Sequence, residues 1–221
     1  MTNPSKIKGT RFETRVATFL GPWFPEVERR AQAGNLDRGD LRGVPNWAVE
    51  AKDRKVMNLS GWCSEAAVEA VNSGCRYWVV VHNYPRHPTP QIHCTMPLWV
   101  LAELATGRQL EAPPLDTPDD GKLFADAVWH FLEPYGYDPI RGSLDRWQLT
   151  LEPSINLTLG PWSAAAAKRA GESPWGVVHR KRQAPIGDTY VTTSLLVWAQ
   201  EVAASMPDAA NVTVGASIAQ S

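Results

Sequence analysis

Cysteine is scarce in this sequence: three in 221 residues, Cys63, Cys75 and Cys94, at irregular spacing. An odd, uneven set cannot make a disulfide framework, and no apolar signal segment precedes it, so reduced thiols in a cytoplasm are expected. Long apolar runs are missing too. No stretch of about 18 apolar residues occurs, which excludes a membrane-spanning helix. An excess of either charge is also lacking. The 22 Lys and Arg nearly balance the 23 Asp and Glu, leaving a net charge of -1. Such a chain is neither a strongly basic nucleic-acid coat nor an acidic disordered segment. His82, His87, His93 and Cys94 lie close in sequence, but no CxxC or HxxxH pair gives them zinc-site spacing.

What is present is enough apolar material for a core, 43% of residues, and ten tryptophans, most of which should be buried. Hydrophobic spacing yields an α/β succession. Phe12, Val16, Phe19 and Leu20 fall at helical intervals within residues 9–20, and Gly21-Pro22 ends the run. Residues 27–32 read as a short strand and 34–39 as a turn. Residues 46–52 alternate with the period of a strand, so Glu50 and Lys52 share a face. Residues 60–72 form a helix with Ser60 as its cap and Gly74 beyond its end. Tyr77 to His82 is a buried strand, residues 91–95 another, and a helix starts at Pro97. Residues 107–120, rich in Pro and Asp, read as a linker, and residues 206–221 as a disordered tail.

The succession then repeats. Trp78, His82, Thr95 and Leu98 align with Trp175, His179, Thr192 and Leu195 at a constant offset of 97. At an offset of 100, Trp47 meets Trp147, and LSGWCSEAAVEA from Leu59 meets LGPWSAAAAKRA from Leu159. The first helix resembles the segment that begins at Gly121. Two copies of one fold are therefore expected, an active domain over residues 1–106 and a second over 121–205. The second copy lacks the acidic pattern: Glu13 aligns with Ala125, Asp40 with Ile140, Glu50 with Thr150 and Lys52 with Glu152.

Those four positions carry the chemistry. Asp40, followed by Glu50-Ala51-Lys52 on a strand, can bring two carboxylates to one hard divalent cation, which prefers oxygen ligands and keeps waters that a phosphate can replace. Lys52, on the face of Glu50, can orient or help deprotonate the attacking water and balance developing negative charge. Glu13 can reach the same cation from the first helix. Arg29, Arg30, Arg38, Arg42, Arg54 and Lys55 flank these residues as phosphate contacts, and Arg180, Lys181 and Arg182 keep a basic cluster in the second copy. Residues 1–111 hold 14 basic against 11 acidic residues, and residues 112–221 hold 8 against 12, which favours the first half as the phosphate binder.

KGTRFETRV, VERRAQAGNLDRGDL, WAVEAK and YWVVVH, spread over about residues 6 to 104, resemble the Holliday junction resolvase pattern of the PD-(D/E)XK nucleases, in its archaeal-type and actinobacterial-phage versions. The resemblance implies a restriction-endonuclease-like αβββαβ core, here duplicated with a degenerate second copy. It also implies Mg2+ or Mn2+ held by Glu13, Asp40 and Glu50, with Lys52 completing the catalytic set. Branched DNA would be the substrate, in a bacterial or phage-infected cell. Family members act as symmetric homodimers, whereas this chain would be an intramolecular pseudo-dimer with one live site unless chains associate further. The rival expectations are a restriction-like or exonucleolytic enzyme of the same superfamily, or a non-catalytic DNA-binding or assembly protein.

Overall fold

The computed structural model describes residues 4–31, 37–109, 121–154, 157–181 and 184–206. Residues 110–120 of the expected linker, residues 207–221 of the expected tail and Arg182 lie outside the described residues. The first half runs α1 (Pro4–Leu20), β1 (Glu28–Arg29), β2 (Leu41–Arg42), β3 (Trp47–Lys52), α2 (Leu59–Ser73), β4 (Tyr77–His82), β5 (His93–Pro97) and α3 (Leu98–Thr106). The second runs α4 (Gly121–Leu132), β6 (Tyr137–Asp138), β7 (Ser143–Leu144), β8 (Trp147–Glu152), α5 (Leu159–Ala170), β9 (Trp175–His179), β10 (Tyr190–Ser194) and α6 (Leu195–Ala204). The fold is α/β, and the order of elements in one half is that of the other.

Among the described residues all the strands join one mixed sheet of ten, in the order β1-β2-β3-β4-β5-β10-β9-β8-β7-β6. Only β3 with β4 and β8 with β9 pair in parallel; the rest are antiparallel. Parallel pairing needs a crossover, and α2 and α5 supply it. One face of the sheet buries Trp47, Val49, Val79, Val81, Cys94 and Met96 against Phe12, Val16 and Leu20 of α1, with α3, α4 and α6 completing the layer. On the other face, Leu59, Trp62, Cys63 and Ala66 of α2 cover Val80. Glu50 and Lys52 alternate with Val49 and Ala51 along β3, so they point toward the α2 side.

The halves meet through β5 and β10, with Thr95 directly opposite Thr192. Two further bonds cross the junction, Leu98 N–H to the Thr189 carbonyl at 2.7 Å and Leu195 N–H to the Ile92 carbonyl at 2.8 Å. Each is the other moved by 97 residues, as a local two-fold axis through the Thr95–Thr192 pair requires. Trp198 of α6 packs edge-on against Trp47 of β3 at 5.3 Å and lies 6.2 Å from Phe24, so the aromatic core also crosses the boundary. Buried at the axis is a polar chain: His82 Nε2 to Thr95 Oγ1 at 2.9 Å, Thr95 Oγ1 to Thr192 Oγ1 at 2.7 Å, and Thr192 Oγ1 to His179 Nε2 at 2.8 Å.

Local chemistry departs from the sequence reading in places. Asn58, not Ser60, caps α2 by accepting from the Gly61 N–H, while Gly74 takes the left-handed conformation expected past its end. The strand read over 27–32 shrinks to Glu28 and Arg29. Four residues, Gly43 to Asn46, connect β2 to β3, and Gly43 has φ of 90° with the Glu26 carbonyl where a Cβ would stand, so only glycine fits. The corresponding turn between β7 and β8 has only Asp145 and Arg146, which breaks the constant offset there. Opposite Leu149 stands Gly142, and Ile140, aligned by offset with Asp40, is 96% exposed beyond the strand.

Candidate active site

Three segments converge at the β1-β2-β3 edge of the sheet. Backbone bonds fix Asp40 between its neighbours: its N–H donates to the Val49 carbonyl at 3.0 Å, and its carbonyl accepts from Arg30 N–H at 2.7 Å. Its side chain turns onto β3, where Oδ2 accepts from the Ala51 N–H at 2.9 Å. Asp40 is thereby clamped against the backbone between Glu50 and Lys52. Glu50 is 5% exposed, and its carboxyl contacts the Lys52 ammonium. Lys52 Nζ also reaches Glu65 Oε2 of α2 at 2.7 Å. Glu13 approaches from α1, paired with Arg29 at 3.6 Å.

The electrostatics follow from crowding acids where water is scarce. Burial, then the charges of Asp40 and Glu69, push the Glu50 carboxyl far above the ordinary carboxylate range. Glu13 rises for the same reasons, burial first and Asp40 second, with Arg29 opposing. Burial works against the Lys52 ammonium, yet its bonds to Glu50 and Glu65 outweigh that and raise it, so the lysine is charged. Glu69, 3% exposed on α2, is raised by burial and by Asp37, and its carboxyl lies within hydrogen-bonding reach of Glu50.

The structure therefore brings Asp40, Glu50 and Lys52 into direct or backbone-bridged contact and sets Glu13 within reach of their charges. It does not gather three metal-ligating side chains into a ready-made cage among the described residues. Lys52 is the cation that now compensates Glu50. The donor set still suits a hard divalent ion: it is all carboxylate, one member is almost buried, and Glu69 Oε2 is buried without a hydrogen-bond partner.

The basic residues divide. Arg38, Arg54 and Lys55 are exposed. Arg29 is committed to Glu13, and Arg42 to Glu28 with Nε at 2.6 Å from Oε1. Arg30 and Arg180 are half-buried, and Lys181 sits 5.3 Å above the Tyr190 ring rather than extending into solvent. Sequence reasoning missed Glu65 and Glu69. It also missed a basic ridge on α1, where Lys8, Arg11 and Arg15 border a surface depression of about 530 Å³ with Phe12 and Asp53. Arg15 donates to Asn83 at 3.0 Å, Asn83 donates to Asp53 at 2.8 Å, and Lys8 pairs with Asp53 at 3.0 Å. Their spacing of three and four residues was a legible helical stripe.

In the second half, Thr150 and Glu152 stand on β8 where Glu50 and Lys52 stand on β3. Cys63 and Cys94 are buried free thiols, and His82, His87 and His93 belong to no metal-ligating group of three among the described residues. No helix among the described residues is long and apolar enough to cross a membrane. Comparison with protein-family models, curated proteins and solved structures returns no match.

Proposed function

We propose that this chain is a Mg2+- or Mn2+-dependent endodeoxyribonuclease of the PD-(D/E)XK type that cuts branched DNA, as Holliday junction resolvases do. The observation that carries the reading is the almost buried Glu50, in contact with Lys52 on one strand face while Asp40 is clamped to the amide between them. A buried, mutually repelling group of acids is costly in a protein without a use for it.

Asp40 and Glu50 would hold the metal ion, with Glu13 as a third carboxylate from α1. When bound, the ion would supply charge stabilisation at the scissile phosphate and a more acidic water. Lys52 keeps its proton, so its part is to orient the attacking water and offset charge growing on the phosphate. To do so it must leave Glu50 and Glu65, which bind it now. Arg38, Arg54 and Lys55 on the exposed rim, with Lys8, Arg11 and Arg15 of α1, would track the DNA backbone.

We read the second half as a degenerate copy of the same restriction-endonuclease-like core, which makes the monomer a pseudo-dimer with one competent site. The support is the matching element order, the symmetric strand order and the Thr95–Thr192 register. A chain with one site should nick, not cut strands in pairs.

The test is incubation with labelled four-way junction, flap and linear duplex, with and without Mg2+ or Mn2+, beside Glu50→Ala. The expected result is metal-dependent single nicks in branched DNA, absent in the variant. A wild type inert on every substrate and metal overturns the enzyme reading and favours a DNA-binding pseudo-enzyme, for which the replaced residues Thr150 and Glu152 would be a precedent within the chain.

A further inference from the structure

We infer that Glu69 of α2 is a further carboxylate of the cation site, an inference that rests on the metal-dependent reading above. Glu69 lies on the buried stripe of α2, in line with Leu59, Trp62, Ala66 and Ala70, where an apolar residue would pack without cost. It is 3% exposed, and its Oε2 is buried with no hydrogen-bond partner. A Cβ added to Gly39, next to Asp40, would stand 3.6 Å from that oxygen, so the orphaned atom is aimed at the turn that carries Asp40. A buried carboxylate oxygen with no donor is expensive, and a donor set completed by a cation removes the expense.

The second half supplies independent support. Helices α2 and α5 superimpose in sequence at an offset of 100, with Leu59 and Leu159, Cys63 and Ser163, and Ala66 and Ala166 all buried. Trp62 lies 6.1 Å from His82, and Trp162 lies 6.3 Å from His179, so the two helices dock alike. Position 69 then corresponds to Arg169. Its guanidinium donates to Thr150 Oγ1 at 3.3 Å, and Thr150 occupies the place of Glu50. The pair Glu50–Glu69 in one half is thus Thr150–Arg169 in the other. Where both carboxylates are gone, an exposed arginine stands at the equivalent place; where both remain, Lys52 is committed to Glu50 and Glu65, and Glu69 Oε2 has no partner of its own. A structural role for Glu69 alone would not tie its replacement to that of Glu50.

Mn2+ binding to the full-length chain, measured by titration calorimetry and by the electron paramagnetic resonance of free Mn2+, tests this without any DNA. Wild type, Glu50→Gln and Glu69→Gln are compared, with melting temperatures without metal as the folding control. We expect Glu69→Gln to melt no lower than wild type, because it removes a repelling acid, and to bind Mn2+ roughly 10- to 100-fold more weakly. Glu69→Asp, which keeps the charge and shortens the reach, should fall between the two and serves if the Gln variant does not fold. Unchanged Mn2+ affinity in the folded Glu69 variants, with Glu50→Gln impaired, overturns this inference and leaves the nuclease reading standing. A wild type that binds no Mn2+ overturns both.

Discussion

The two halves share an order of elements and differ in what they bury at the same place. On β3 a glutamate and a lysine face α2; on β8 a threonine and a glutamate face α5. Around the axis the halves are nearly interchangeable, with Thr95 and Thr192, His82 and His179, and the crossing bonds of Leu98 and Leu195 matching one for one. What sits at the seam answers to packing, and both halves must satisfy it together. At the far edges the halves part, with Glu50 and Lys52 in one where Thr150 and Glu152 stand in the other. The difference teaches that the seam ties the two halves together while their outer edges are free to differ.

If that is right, disturbing the seam should harm the whole molecule, whichever half is altered. The largest effect should come from acid. Burial, with the neighbouring histidines, lowers His82 well below the ordinary imidazole range; burial lowers His93 to about 4 and His179 to about 3. Groups with depressed values take up protons more readily when unfolded, so the stability they allow is full above the unfolded value of about 6.5 and is lost as pH falls toward the folded values. Each should cost on the order of 1.4 kcal/mol per pH unit in that window. Glu50 and Glu69, whose values are raised, gain stability as pH falls through the same range and oppose the histidines near pH 7, so the histidine loss should show below pH 6. Urea unfolding at pH 6, 5.5 and 5 should show the midpoint falling as one transition, more steeply in Glu50→Gln; two transitions would break the picture of a shared seam.

Next in size is Trp198→Ala. Trp198 is fully buried and touches Trp47 and Phe24 of the other half, so the loss should be about 3–5 kcal/mol. The decisive readout is local: amide exchange in β3 and β4 should accelerate along with that in β9. Protection that persists in β3 would mean the first half stands without the second.

The smallest effect sharpens the equivalence. Thr95→Val and Thr192→Val each remove a hydroxyl from the axis and leave a buried imidazole nitrogen unpartnered, at a cost of about 1–3 kcal/mol. The two losses should be equal within error in chemical denaturation, and the double variant should cost less than their sum, because the second substitution acts on a chain already cut. Unequal losses would show the axis to be only approximate.

Much of this was legible in the sequence. The alternation in Trp47 to Lys52 placed Glu50 and Lys52 on one face, and the offset of 97 between Thr95 and Thr192 located the axis residue itself. Periodicity could not say that the copies share one sheet, because edge-to-edge pairing of β5 and β10 is decided by tertiary register and not by spacing. Glu69 was missed because an Ala- and Glu-rich helix reads as solvated; its signal was its place on the stripe of Trp62, Ala66 and Ala70. The offset between Asp40 and Ile140 failed because the β7–β8 turn is shorter, and register in a hairpin follows its turn. Lys181 was read as part of a basic cluster, and no sequence pattern announces the ring of Tyr190 beneath it.

The four-membered polar chain at the axis imposes one more condition. Its three hydrogen bonds need three protons, and the two threonine hydroxyls carry only one each. At least one imidazole must therefore donate from Nε2; when the other accepts there, His82 and His179 are opposite tautomers, every proton in the chain is used and every bond points the same way. Were both to donate, one hydroxyl proton would have no place in the chain; were both to accept, the threonine oxygens would meet at 2.7 Å with no proton between them. In that arrangement the chain has a direction that its flanking backbone lacks, and reversing it requires both rings and both hydroxyls to exchange roles in concert.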